Sequence, residues 1–177
     1  DGARYIPALD VWQPIAGSPL VARFGAASFW VGDKMLVVGG RYGSQLAAND
    51  YALYDPATDT WSAANFAGGC SGYTDGAIMD RYVVIRSETG WCKYDITNDQ
   101  WSTVSDLPGG RVFPHVDEGP IVSTGSELMM FGVDPLVSLG AIDLYNPVED
   151  SWTQPVYSRN WSIGLQARAV WTGCSLV

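Results

Sequence analysis

Short apolar runs alternate with polar positions along the chain and stop at Gly, Pro, Asp or Asn. Ala26-Ala-Ser-Phe-Trp-Val31, Gly32-Asp33, Lys34-Met-Leu-Val-Val38 and Gly39-Gly40 predict strand, tight turn, strand and glycine break. Tyr73 to Met79, Asp80, then Arg81 to Ile85 predicts the same unit. So does Pro120 to Thr124, Gly125-Ser126, then Glu127 to Phe131. A period of two buries one face of each strand, so each hairpin needs a neighbour to cover it.

A second pattern follows each of these hairpins. Tyr5 to Trp12, Tyr54 to Trp61, Tyr94 to Trp101 and Tyr145 to Trp152 each place Trp seven residues after Tyr, with Asp two before the Trp. The turn formers between them, as in Asp55-Pro-Ala-Thr-Asp59, predict a tight outer hairpin whose acids, Asp55, Asp59, Asp95, Asp99, Glu149 and Asp150, cap backbone N–H groups. Tyr and Trp then bury their rings between adjacent sheets. The tryptophans recur at 12, 61, 101 and 152, and a period of about 40–50 residues with four strands apiece belongs to propeller blades. The expectation is an all-β propeller of four-stranded antiparallel blades, about four in this chain. Its units divide near 1–15, 16–64, 65–104, 105–155 and 156–177 of one domain or fragment, 1–177. The chain opens at a third strand and ends inside a second. Either a four-bladed ring shares its last blade between the termini, or this is a stretch of a larger propeller, the account slightly favoured.

These marks resemble the Kelch repeat, in its bacterial form: an apolar strand ending in Gly-Gly, then Tyr, then Trp. Val37-Val38-Gly39-Gly40 with Tyr54-Asp55-Pro56 and Trp61 carries the resemblance best. The glycine pair is replaced by Arg86-Ser87 in the third unit and by Gly132-Val133 in the fourth, so those turns should differ. The third unit is also short between its second and third strands. Kelch resemblance extends to copper-radical oxidases, whose site needs two His, two Tyr and a Cys. One His in the chain excludes that chemistry here.

Composition narrows the partners. The 177 residues carry a formal net charge of −9, which repels nucleic acid and anionic membranes. No apolar run reaches the ~20 residues of a membrane span. Two lysines, eight tryptophans and many glycines, together with the Kelch resemblance, suggest a secreted, periplasmic or cell-surface protein. Cys70, Cys92 and Cys174 are too few for a disulfide scaffold. Cys70 and Cys92 pair if the protein is exported; buried thiols are the alternative. No metal site and no cofactor are expected.

The candidate ligand-binding residues gather where inter-strand loops should meet. Arg41 follows the glycine pair, Arg86 replaces a glycine, and Arg23 and Arg111 precede inner strands, with Arg168 near the last one. Converging, they make a cationic mouth for carboxylates, acidic sugars or an acidic peptide. Scattered arginines in local ion pairs are the alternative. Asp75, and with similar standing Asp117-Glu118, would line a central channel; His115 lies at its mouth or is a loop histidine. Tyr42, Trp91 and Trp161 are aromatics outside the repeat that could stack on a sugar or anchor a protein. Trp30 and Trp171, at equivalent strand sites, read as core. Asn160-Trp-Ser162 fits a weak glycosylation sequon. No catalytic set assembles, and no nucleophile elbow surrounds a serine. The expected function is therefore a binding or scaffold module presenting propeller loops to a protein or glycan partner. The alternatives are a propeller lyase, epimerase or sialidase acting on an anionic sugar, and an architectural subunit packed against other parts of a larger chain or extracellular assembly.

Overall fold

The computed structural model describes residues 2–43, 46–72, 74–105, 107, 119–134, 139–153, 156–158 and 169–173, with backbone alone for 132–134, 139–140 and 156–158. These residues are all-β, with no helix among them, and so none long and apolar enough to cross a membrane. Strands β1 (Ala3–Ile6) and β2 (Val11–Pro14) form a two-stranded ribbon. The next sheet runs in the order β3 (Ala27–Val31), β4 (Lys34–Val38), β7 (Asp50–Asp55), β8 (Thr60–Trp61). Between β4 and β7 lies a small hairpin of β5 (Arg41–Tyr42) and β6 (Leu46–Ala47) that the alternation did not predict. After β8 the chain returns to β7 as β9 (Asn65–Phe66), so these two residues belong to this sheet rather than to the next unit.

The third sheet is β10 (Thr74–Met79), β11 (Tyr82–Ser87), β12 (Gly90–Asp95) and β13 (Gln100–Thr103), each paired to the next. The fourth is β14 (Ile121–Ser123), β15 (Leu128–Asp134), β16 (Leu139–Asn146) and β17 (Ser151–Trp152), with β18 (Val156–Ser158) also on β16. All pairs are antiparallel, and the first strands β3, β10 and β14 contact one another in succession. The missing glycine pair shows its effect in the third sheet: β11 runs through Arg86-Ser87 and turns at once into β12 through Glu88-Thr89.

The four outer hairpins share one geometry. Tyr5 faces Trp12, Tyr54 faces Trp61, Tyr94 faces Trp101 and Tyr145 faces Trp152 across the strands. Their ring centroids lie 5.2, 5.1, 5.0 and 4.7 Å apart. Each Tyr hydroxyl donates to the Asp five residues on: Asp10, Asp59, Asp99 or Asp150. Those four aspartates have φ of 53, 53, 50 and 52°, a left-handed conformation that Asp tolerates because its short polar side chain bonds locally. Asp55 and Asp95 cap backbone N–H groups as expected, Asp59 and Asp150 accept them from outside their own hairpins, and in the fourth hairpin Asn146 takes the role of Asp55. Asp55, Asp95 and Asn146, just after each Tyr, accept the backbone N–H groups two and three residues on. The backbone N–H of Glu149 is thus a donor to this cap, and its carboxylate has no part in it.

The sheets pack face to face through apolar side chains. Leu36, Val38 and Tyr51 meet Val83, Ile85 and Tyr94 between the second and third sheets. Met79, Tyr82 and Val84 meet Leu128, Met130 and Tyr145 between the third and fourth. Gly39 and Gly40, at φ of 66 and 88°, take the close approach between sheets: a Cβ on Gly39 would sit 2.4 Å from Thr74 Cγ2, and Gly40 N donates to Gly72 O at 2.7 Å. Cys70 and Cys92, both buried, form a disulfide between the segment entering β10 and β12, inside the third unit. In the chain-entropy view, a cross-link spanning that loop stabilises by about 3 kcal/mol.

Two expectations fail on the first face of the array. Tyr5 and Trp12 are 44% and 69% exposed rather than buried between sheets, and Trp30 is 57% exposed rather than core. All three look toward the chain's first units, where the described residues supply only the ribbon β1–β2. Among the described residues, no further sheet packs against Tyr5, Trp12 or Trp30. Trp171 is half-buried, against Val122, Phe131 and Ile142 of the fourth sheet.

Candidate functional site

Antiparallel register assigns each loop to one end of its sheet. Ala27 pairs with Val38 and Val38 with Tyr51; Thr74 pairs with Ser87 and Ser87 with Gly90. Arg23, the Gly39-Gly40 break, Arg41, Asp50, Asp75, Arg86, Glu88 and Trp91 therefore lie together at the end where the first strands begin. The Tyr–Asp turns occupy the other end. The three described arginines of the expected mouth lie at this same end, each in its own ion pair.

Each engages a different carboxylate. Arg23, its side chain 6% exposed, places two guanidinium nitrogens on Asp50 at 2.7 and 3.1 Å and donates to Gly39 O at 3.0 Å. Arg41 makes a bidentate pair with Glu88 of the next sheet, Nε to Oε1 being 2.8 Å. Glu88 lies so close over Gly72 that a Cβ there would be 2.5 Å from its carboxyl carbon. Arg86 is buried, reaches Asp75 Oδ2 at 3.5 Å and donates to Gly119 O, at the entry to the fourth sheet, at 3.0 Å. Arg41–Glu88 and the Arg86–Gly119 contact tie consecutive sheets together, while Arg23–Asp50 and Arg86–Asp75 each lie within one unit, and the arrangement is a neutralised rim rather than a free cationic mouth. Arg23 is nearly buried while Asp50 keeps 26% of its side chain exposed, so losing either partner costs about 1–3 kcal/mol. The half-open Arg41–Glu88 pair is worth closer to about 1 kcal/mol.

Asp75 keeps 46% of its side chain exposed beside that rim and accepts the Gly76 N–H at 2.8 Å. Tyr42 is half-buried, with the Arg23 guanidinium 5.5 Å from its ring. Trp91 is not displayed: it packs edge-on to Trp152 at 6.3 Å within the core between the third and fourth sheets. Arg111, His115, Asp117, Glu118, Asn160, Trp161 and Arg168 lie outside the described residues. The sequence reading missed the carboxylate halves, Asp50 and Glu88. Glu88 is two residues past Arg86 in the shortened loop, the signal that would have found it. It also missed the hydroxyl ladder on the same rim, where Thr89 Oγ1 donates to Gly69 O at 2.7 Å, beside Ser71 and Ser87. Among the described residues no group of three or more His, Cys, Asp or Glu side chains is placed to hold a metal ion.

The opposite end carries the shifted acids and phenols. Hydrogen bonds from Tyr54 and the Ala16 N–H hold Asp59 below the usual carboxylate range. At Asp150, burial opposes the same effect and is outweighed by Tyr145, the Ser105 N–H and Lys93. Burial, then hydrogen bonding to their aspartates, pushes Tyr94 and Tyr145 well above an ordinary phenol.

All-β, with several four-stranded antiparallel sheets whose first strands adjoin in sequence order, the fold is propeller-like. No family model matches the chain, and no curated protein matches it. Among solved structures it is similar to one titled "Structure of YjhT", with a TM-score of 0.66 at 14% identity over 94% of this chain. The match covers 61% of that structure's length, and at this identity it speaks for the fold alone.

Proposed function

We propose that the chain is a Kelch-like propeller stretch of about four blades that works as a non-catalytic binding or scaffold module. It presents its loop rim to a protein or glycan partner. One observation carries the reading: the charged side chains of the rim, Arg23, Arg41, Arg86, Asp50, Glu88 and Asp75, hold one another in place, and Arg41–Glu88 joins neighbouring sheets. Pre-paired charges and hydroxyls make a rigid, mixed-sign surface, which suits recognition of polar partners at low ordering cost. The disulfide supports an exported, cell-surface or periplasmic setting.

The test titrates neutral and acidic oligosaccharides and an oligo-glutamate peptide into the protein by calorimetry, with Arg41→Ala and Glu88→Ala alongside. Binding of one probe that weakens about tenfold in both variants supports the proposal. Turnover of a sugar, which would bring Asp75 and the arginines forward as an enzyme site, overturns it. So does binding that neither substitution touches, or no binding by any probe.

A further inference from the structure

Residues 67–72, between β9 and β10, form a strap across the loop end. Its main chain bridges two sheets. Ala67 N donates to Asn49 O at 2.8 Å and Gly72 N to Ala48 O at 3.0 Å, while Gly72 O accepts from Gly40 N. On its other side Glu88 N donates to Ser71 O at 3.2 Å, Thr89 Oγ1 donates to Gly69 O, and Ser71 N donates to Thr89 Oγ1 at 3.1 Å. The strap is therefore the floor under Glu88, whose carboxylate packs against Gly72 and whose N–H is fixed by Ser71. Glu88 in turn holds Arg41 of β5. Side chains contribute little to keeping this floor in place. In the run Ala-Gly-Gly-Cys-Ser-Gly only Ala67 and Cys70 bury one, and the Ala67 methyl is small. Cys70 is bonded to Cys92 of β12, and the pair sits in the core between the second and third sheets. The covalent link thus fixes the strap one residue before its contacts with Glu88.

We propose that the Cys70–Cys92 disulfide is a redox pin for the rim: its reduction frees residues 67–72 and loosens Glu88 and Arg41, while the sheets stay folded. A dithiol reductant supplies the two electrons. One of its thiolates attacks a disulfide sulfur, the S–S bond breaks and a mixed disulfide forms. Its second thiol then closes on that mixed disulfide, so the reductant leaves oxidised and both cysteines take up protons as thiols. Both cysteines are buried, so attack waits on opening of the strap, a local unfolding that also frees the rim. The pin acts on the geometry of the rim and holds whatever the rim binds.

The test equilibrates the protein with reduced and oxidised dithiothreitol, traps free thiols by alkylation and reads the Cys70 and Cys92 peptides by mass spectrometry. Coupling is reciprocal, so a substitution that releases the strap from Arg41 must ease reduction. Glu88→Ala is expected to shift the equilibrium toward the dithiol by about fivefold. Arg23→Ala, which breaks an ion pair on Asp50 rather than on the strap, leaves it unchanged. In the reduced protein, hydrogen exchange at the Gly72 and Glu88 amides accelerates at least about tenfold more than at Leu128 and Met130 of the fourth sheet. An equal shift in the two variants, or none in Glu88→Ala, overturns the proposal. So does uniform acceleration of exchange, which makes the disulfide a brace for the whole fold instead of a pin for the rim.

Discussion

The Tyr145–Asp150–Trp152 and Tyr5–Asp10–Trp12 hairpins have the same residues, register and ring spacing, yet Tyr145 is fully buried and Tyr5 is 44% exposed. Local sequence therefore sets the hairpin, while the burial that makes it stabilising comes from the preceding sheet. Tyr145 lies against Met130 and Leu128 of its own sheet and Met79, Tyr82 and Val84 of the sheet before. Among the described residues no sheet packs on Tyr5 in that way.

The largest contrast comes from deleting the rings. Tyr145→Ala should cost about 3–5 kcal/mol in urea unfolding, as expected for a large buried side chain, and Tyr5→Ala about 0.5 kcal/mol. Equal losses would break the comparison. A finer cut keeps the ring and removes only the donor. Trp152→Phe leaves the Ser105 carbonyl without its indole and should cost about 1–2 kcal/mol, against a few tenths for Trp12→Phe. The smallest effect is in pH. Asp59 and Asp150 are held low in the folded state, so their contribution is present above the ordinary carboxylate pKa of about 4 and is lost as pH falls through the lowered values. Tyr94 and Tyr145 are raised, so theirs is full below about pH 10 and drains away as pH rises further. Melting temperature should be flat between these limits and fall on both sides. Asp150→Asn, which keeps the left-handed turn, should flatten the acid limb; an unchanged limb would show that this carboxylate fastens nothing.

Much of this architecture was legible in the residues because it is local. The turns at Gly32-Asp33 and Asp80-Arg81, the Tyr-to-Trp hairpins and the altered break at Arg86-Ser87 follow from chain chemistry within a few positions. What depended on a neighbouring sheet was read less well. Trp30 looked like core because it shares a strand site with Trp171, but it is 57% exposed, with no inner strands opposite among the described residues. Trp91 looked like a displayed aromatic, although it stands three residues before Tyr94, as Tyr51 does before Tyr54. An odd offset turns a side chain to the opposite sheet face, so Tyr51 and Trp91 each pack on the Trp of the following sheet, Trp101 and Trp152. That rule was present in the sequence, hidden behind the stronger repeat. The arginines were placed at the correct end, but their carboxylates were not, since Arg41–Glu88 joins residues 47 positions apart.

The left-handed aspartate has an evolutionary corollary. Glycine or asparagine would satisfy the backbone at position 59 or 150 equally well, so the bend by itself does not demand an acid. Glycine, however, lacks the side-chain oxygen that accepts both the phenol O–H of its own hairpin and the backbone N–H of the segment before it. A lineage that drifted to glycine there would keep well-formed hairpins and lose the rivets between sheets, so hairpin shape and sheet cohesion can be selected separately at one codon.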